Sequence, residues 1–171
     1  MGVLDRNMQI NKHNIVNLLL DKAGFSSFRF DCNFSLIFQC NPIKNRKFPF
    51  SVRLSIEGDW WFGDEDEWKR IVEEMTAGQG YAQPDEPVLA FKLAALRWSD
   101  GSNIQRANLS ENKLFISFDS GETISILNYA DYDCECAWEI VECGYNNDKP
   151  NDYWWVSCDT SGNIDYNIPL D

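Results

Sequence analysis

The chain has 171 residues, 44% of them hydrophobic and 14% aromatic, and a net charge of −12. This composition excludes a disordered chain, and no apolar run approaches the ~20 residues that a membrane span needs. The acidic balance disfavours nucleic acid as a direct ligand, because phosphate binding requires a basic surface. We therefore expect a single domain over residues 1–171 that has no membrane partner, with an appended N-terminal helix over residues 1–24 as a variant.

The charge is unevenly distributed. Residues 1–53 carry eight basic residues against three acidic ones, so the remainder of the chain holds a balance of −17. This asymmetry suits a basic protein partner, although acidity that serves only solubility explains it equally well. The N-terminus lacks the pattern of a secretory signal, so we expect a cytoplasmic protein whose six cysteines are free thiols.

The first third of the chain predicts one helix and two strands. Apolar residues recur at helical spacing over residues 14–23, with Asn14 as the N-cap and Gly24 beyond the end. From Phe28 to Phe38 the spacing changes to two, which predicts one continuous strand with its phenylalanines on a single face. A loop over residues 41–47 precedes a second strand over residues 52–56.

The remainder of the chain predicts two more helices and a set of strands. One helix spans residues 68–75, with Asp64 or Asp66 as its cap, and another spans residues 88–96, although alternation there also fits a strand. The last third predicts a hairpin around Asp119–Gly121 and two later strands that contain Trp138 and Trp154. The predicted fold class is α+β: a mainly antiparallel meander sheet with two or three helices packed against it.

The motifs of common catalytic and metal sites are missing from the sequence. The single histidine provides no partner for a Ser-His-Asp triad or a histidine-rich zinc site. Cys134, Cys136 and Cys143 have the wrong spacing for structural zinc, and we expect Cys134 and Cys136 to pack as small hydrophobic residues on the face of the Trp138 strand. The sequence thus predicts no catalytic residue, no metal and no cofactor.

The most unusual local feature is an aromatic cluster, residues 60–62, that leads into four consecutive acids, residues 64–67. Acids at the start of a helix interact favourably with the helix dipole, and the aromatic residues could complete the core. Both features then serve the fold and not a partner. The alternative is an interface whose exposed tryptophans are surrounded by negative charge. A second acidic stretch precedes the Trp138 strand. The predicted partner-binding residues are Trp60, Trp61, Asp64, Glu65, Asp66, Glu67, Asp131, Asp133 and Glu135.

The hairpin over residues 114–126, together with Tyr132 and the Ala137-Trp138-Glu139-Ile140 segment, resembles a pattern in small bacterial proteins of polymorphic-toxin and contact-dependent growth inhibition loci. The resemblance implies an immunity protein that binds and neutralises a cognate toxin in the bacterial cytoplasm. A basic nuclease is one such toxin, since its own surface must attract phosphate. Two alternatives remain open: an enzyme that uses a carboxylate pair on a carbohydrate, and a general acidic interaction module.

Overall fold

The computed structural model describes residues 12–30, 34–41, 48–130 and 134–169, without the side chains of residues 12 and 13. It contains three α-helices, a short 3-10 helix at Pro150–Asp152 and ten strands. The helices are α1 (Lys12–Leu20), α2 (Glu65–Thr76) and α3 (Asp85–Trp98). The strands are β1 (Gly24–Phe30), β2 (Phe34–Gln39), β3 (Ser51–Ile56), β4 (Trp60–Phe62), β5 (Ile104–Leu109), β6 (Lys113–Phe118), β7 (Thr123–Leu127), β8 (Trp138–Glu142), β9 (Trp155–Cys158) and β10 (Ile164–Asn167).

The strands form two antiparallel sheets, which confirms the α+β class with three helices. Six strands lie in the order β1-β2-β3-β8-β9-β10, and four in the order β4-β7-β6-β5. Within each run of consecutive strands the connection is a meander, as predicted. The pairing of β3 with β8 joins two such runs across more than 80 residues of sequence, and it places Ser55 directly opposite Glu139.

The prediction of one continuous strand from Phe28 to Phe38 is wrong. The segment forms β1 and β2, which pair with each other so that Phe28 lies opposite Leu36 and Phe30 opposite Phe34. Each of these pairs consists of two even-numbered residues, and residues directly opposite in an antiparallel pair share a face. The alternation therefore continues through the connection between the strands, and a period of two cannot distinguish this hairpin from one long strand.

Each helix buries an apolar face in the common core. In α1 these residues are Ile15, Val16, Leu19 and Leu20, all fully buried, and the helix packs mainly on β5. This helix begins at Lys12 rather than at the predicted cap Asn14. It ends at Leu20, because Lys22 adopts the left-handed region with φ of 55° and the chain then enters β1. The helix predicted over residues 88–96 is confirmed as α3, with Val88, Leu89, Leu93 and Leu96 buried.

Asn128, a buried polar residue that follows β7, connects the two sheets. Its side-chain Oδ1 accepts a 2.9 Å hydrogen bond from Nε1 of Trp138, a fully buried residue of β8. Its Nδ2 donates to the carbonyl oxygens of Ser110 and Glu111 in the turn between β5 and β6. Three separate parts of the chain are thereby held together just before the loop that leads into β8.

Candidate partner-binding surface

The acids at the start of α2 have both a structural role and an exposed position. Asp64 is the N-cap, and its Oδ1 accepts hydrogen bonds of 3.1 Å from the amides of Asp66 and Glu67. Glu65 forms an ion pair of 2.7 Å with Lys69. Of the two predicted caps, Asp64 and Asp66, these contacts confirm Asp64, and they leave some of the acids without a structural role. Within the described ranges Asp66 makes no ion pair, and its side chain is exposed.

The tryptophans next to these acids are not the exposed anchors that the interface hypothesis needs. Trp61 is only 7% exposed, so the expectation of an exposed side chain is wrong for it. Lys113 covers its ring, with Nζ 5.7 Å from the ring centre. Trp60 is half-buried and stacks on Phe34 with ring centres 4.2 Å apart. Both rings therefore contribute to packing, and an aromatic anchor for a partner has to lie elsewhere on the molecule.

The second predicted acidic stretch is described only in part. Asp131 and Asp133 lie outside the described residues, while Glu135 is exposed in the loop that leads into β8. This loop is tied to the β3–β4 connection, because the amides of Glu57 and Gly58 both donate to the carbonyl oxygen of Ala137. This contact brings the loop that carries Glu135 close to Glu57, an acid that the sequence pattern did not indicate.

The two acidic stretches converge on the β3–β4 connection. The charges of Glu57 and Glu135 both act on Glu139 in β8. On the other side, Asp59 acts on Lys69 of α2 together with Glu65 and Asp66. These acids raise the Lys69 pKa, the largest cause being the hydrogen bond that Lys69 donates to Glu65. The connection thus joins two groups of carboxylates, which we name together the acidic band: Glu57, Glu135 and Glu139 on one side, and Asp59, Glu65 and Asp66 on the other.

Glu139 lies on the face of the six-stranded sheet that points away from Leu54 and Ile140, between Ser55 and Ser157 on the neighbouring strands. Burial raises its pKa, and the charges of Glu57 and Glu135 act in the same direction, while Arg53 opposes them. The ionised form of a glutamate with a raised pKa is stabilised by any additional positive charge brought close to it. A raised pKa is also what a general acid requires, so this position alone does not distinguish binding from catalysis.

The cysteines of the described chain are free thiols without a metal-binding arrangement. No group of three His, Cys, Asp or Glu side chains within the described ranges could hold a metal ion. Cys134 and Cys136 precede β8 instead of lying in the strand, so the placement of both on one strand face with Trp138 is wrong. Burial, reinforced by Glu57 and Glu139, raises the pKa of Cys136 to about 12, which keeps this thiol protonated.

Of the helices in the described part of the chain, none has the length and apolar character to cross a membrane. Comparisons with protein-family models, with curated proteins and with solved structures found no match for this chain. The resemblance of the Trp138 segment to immunity proteins therefore stays a prediction.

Proposed function

We propose that this protein is an immunity protein that binds and neutralises a basic toxin domain in the bacterial cytoplasm. The observation that carries the proposal is the acidic band, in which two acidic stretches distant in sequence lie on either side of the β3–β4 connection. A general acidic interaction module has the same surface, and the identity of the partner decides between the two.

The band is suited to attract a cationic protein. Charges of one sign on one surface raise the association rate of an oppositely charged partner, and at physiological salt the attraction extends over about 8 Å. Of the six carboxylates in the band, Glu65 forms a described ion pair within the chain, with Lys69. In the described part of the chain neither Asp66 nor Glu135 forms an ion pair, so these two exposed charges are left for a partner to neutralise.

Inhibition of such a partner requires no chemistry from this chain. A toxin that cleaves nucleic acid needs a basic surface to hold phosphate, and a row of carboxylates competes for that same surface. Bound there, the protein excludes the substrate by occupying its place. The same contact would stabilise the ionised form of Glu139, so we expect complex formation to lower the pKa of this carboxyl.

The test uses the protein encoded by the neighbouring upstream gene, expressed as its C-terminal toxin domain. Asp66→Lys with Glu135→Lys reverses two exposed charges of the band and leaves the N-cap intact. The matched control is Glu111→Lys with Asp148→Lys, which changes the net charge by the same amount at exposed positions outside the band. Stopped-flow association rates are measured at several salt concentrations.

We expect the band variant to associate about tenfold more slowly at low salt and with a weaker salt dependence, whereas the control retains most of the wild-type rate. If the toxin domain does not bind the wild-type protein, the proposed function is wrong. If both variants slow association equally, net charge alone is responsible and the band has no special role.

A further inference from the structure

Helix α3 displays an apolar face that no described part of the chain covers. Trp98 is 85% exposed and Phe91 is 62% exposed, although α3 buries its opposite side in the core. Pro87, Phe91, Ala95 and Trp98 follow one another at intervals of three or four residues, which places them in one line along the helix. We name these four residues the aromatic face. Its two large side chains stand ~10 Å apart with an alanine between them.

An open groove adjoins the start of this face. It has a volume of about 570 Å³, and Phe30, Tyr81 and Pro87 supply much of its wall. Pro87 belongs to both the groove and the aromatic face, so the two form one continuous surface. Glu86 is the single charged residue in the groove lining.

The charged residues of α3 indicate the chemistry of a surface that could bind its aromatic face. Lys92 pairs with Glu122 of the same chain at 3.6 Å. Arg97 donates from Nε to the carbonyl oxygen of Ser26 at 2.6 Å, and its guanidinium lies 5.8 Å from the centre of the Trp98 ring. Both cations of the helix are thus engaged within the chain.

Acidic residues stand at both ends of the aromatic face, with Asp85 and Glu86 at the start and Asp100 just after the end. In the described part of the chain none of the three forms an ion pair. A complementary surface is therefore apolar in the middle and basic at each end. A second copy of this chain is a poor fit, because either orientation of two α3 helices brings carboxylates together at both ends of the contact.

We propose that the aromatic face and the adjoining groove form the docking site for a segment of a partner protein that is apolar at its centre and basic at its ends. The inference rests on the proposed function, because it supplies the anchor that Trp60 and Trp61 cannot. Exposed tryptophan is among the residue types that dominate binding energy at protein interfaces. Contiguous exposed apolar patches are typical of interaction sites on soluble proteins.

The test uses a phage-displayed library of random 16-residue peptides, selected on the wild-type protein and then measured by fluorescence anisotropy. The variants are Phe91→Ala and Trp98→Ala. The matched control is Phe50→Ala, because Phe50 is 78% exposed and lies outside α3. Circular dichroism verifies that all three variants remain folded, which their exposed positions favour.

We expect selected peptides to carry apolar residues flanked by Arg or Lys, and each α3 variant to weaken their binding at least tenfold while Phe50→Ala leaves it unchanged. Failure to select such peptides, or peptides whose binding ignores both α3 variants, overturns the inference. Sedimentation velocity that shows a dimer dissociated by Trp98→Ala also overturns it, since the occupant is then a second copy.

The toxin experiment keeps this inference separate from the proposed function. A toxin domain that depends on the acidic band but binds both α3 variants with wild-type affinity leaves the proposed function standing and removes the docking site. A toxin domain that does not bind, with library peptides that do bind at α3, removes the immunity role and leaves the docking site.

Discussion

Replacement of Asn128 by alanine tests how the fold holds the loop that carries Glu135. The Asn128 side chain joins the Trp138 ring of one sheet to the carbonyl oxygens of Ser110 and Glu111 at the edge of the other. Asn128→Ala removes all three hydrogen bonds and leaves the backbone of the residue in place. The largest consequence falls on Trp138, which is fully buried and has Asn128 Oδ1 as the acceptor of its indole N–H.

The expected cost follows from which groups lose a partner. A buried donor left without an acceptor costs roughly 1–3 kcal/mol. The carbonyl oxygens of Ser110 and Glu111 belong to exposed residues, so water replaces much of what they lose and adds about 1 kcal/mol or less. We therefore expect Asn128→Ala to lower the free energy of unfolding by about 1–4 kcal/mol, a large share of the stability of a single domain.

The assay is urea unfolding followed by circular dichroism, arranged as a double-mutant cycle with Trp138→Phe. Phenylalanine has no N–H to leave unpaired, so Asn128→Ala should cost about 1–2 kcal/mol less in that background than in the wild type. A cost below about 0.5 kcal/mol, or the same cost in both backgrounds, refutes the hydrogen-bond argument.

Three further changes test the packing and electrostatics of the fold. Because the folded Glu139 pKa is raised, the contribution of this residue to stability decreases as pH rises above the ordinary glutamate pKa. Glu139→Gln should therefore be more stable than wild type at pH 7 in urea unfolding, with an advantage that vanishes at low pH. In Gly101→Ala the new Cβ would clash with the backbone of Ser120, so we expect a clear loss of thermal stability, whereas Gly80→Ala, which meets nothing within 4 Å, should be nearly neutral. Asp64→Ala removes the α2 cap and should cost about 1 kcal/mol in the same unfolding assay, and an unchanged midpoint would contradict the capping role.

Local sequence patterns predicted most of the elements, since the signals for those elements are local. The hairpin of β6 and β7 has its turn at Gly121, where φ is 88°, and its alternating strands are visible in the sequence. Helix α2 has a visible cap at Asp64. The division of the Phe28–Phe38 segment into two strands was missed because the hairpin keeps the same alternation on both strands.

The candidate site was predicted only in part, because long-range pairing creates it. Glu57 and Glu139 lie 82 positions apart, and the pairing of β3 with β8 brings them together; no pattern in either segment reveals this. The prediction of exposed tryptophans in the aromatic cluster was wrong for a different reason. Three consecutive aromatic residues in a strand must point to both faces, and here Trp61 lies opposite Ser125 on one face while Phe62 lies opposite Ile124 on the other. The sequence does not specify that both faces of β4 are covered.

Changes in the acidic band and changes in the aromatic face should affect different rate constants of binding. The acidic band acts at a distance, so changes there should alter the association rate and its salt dependence. The aromatic face acts only after contact, when Phe91 and Trp98 lose their water, so changes there should alter the dissociation rate. If one partner uses both surfaces, Asp66→Lys should slow its association and Trp98→Ala should accelerate its dissociation. If each change instead altered both rates in proportion, the band and the face would form a single contact region, and the assignment of separate roles to them would be wrong.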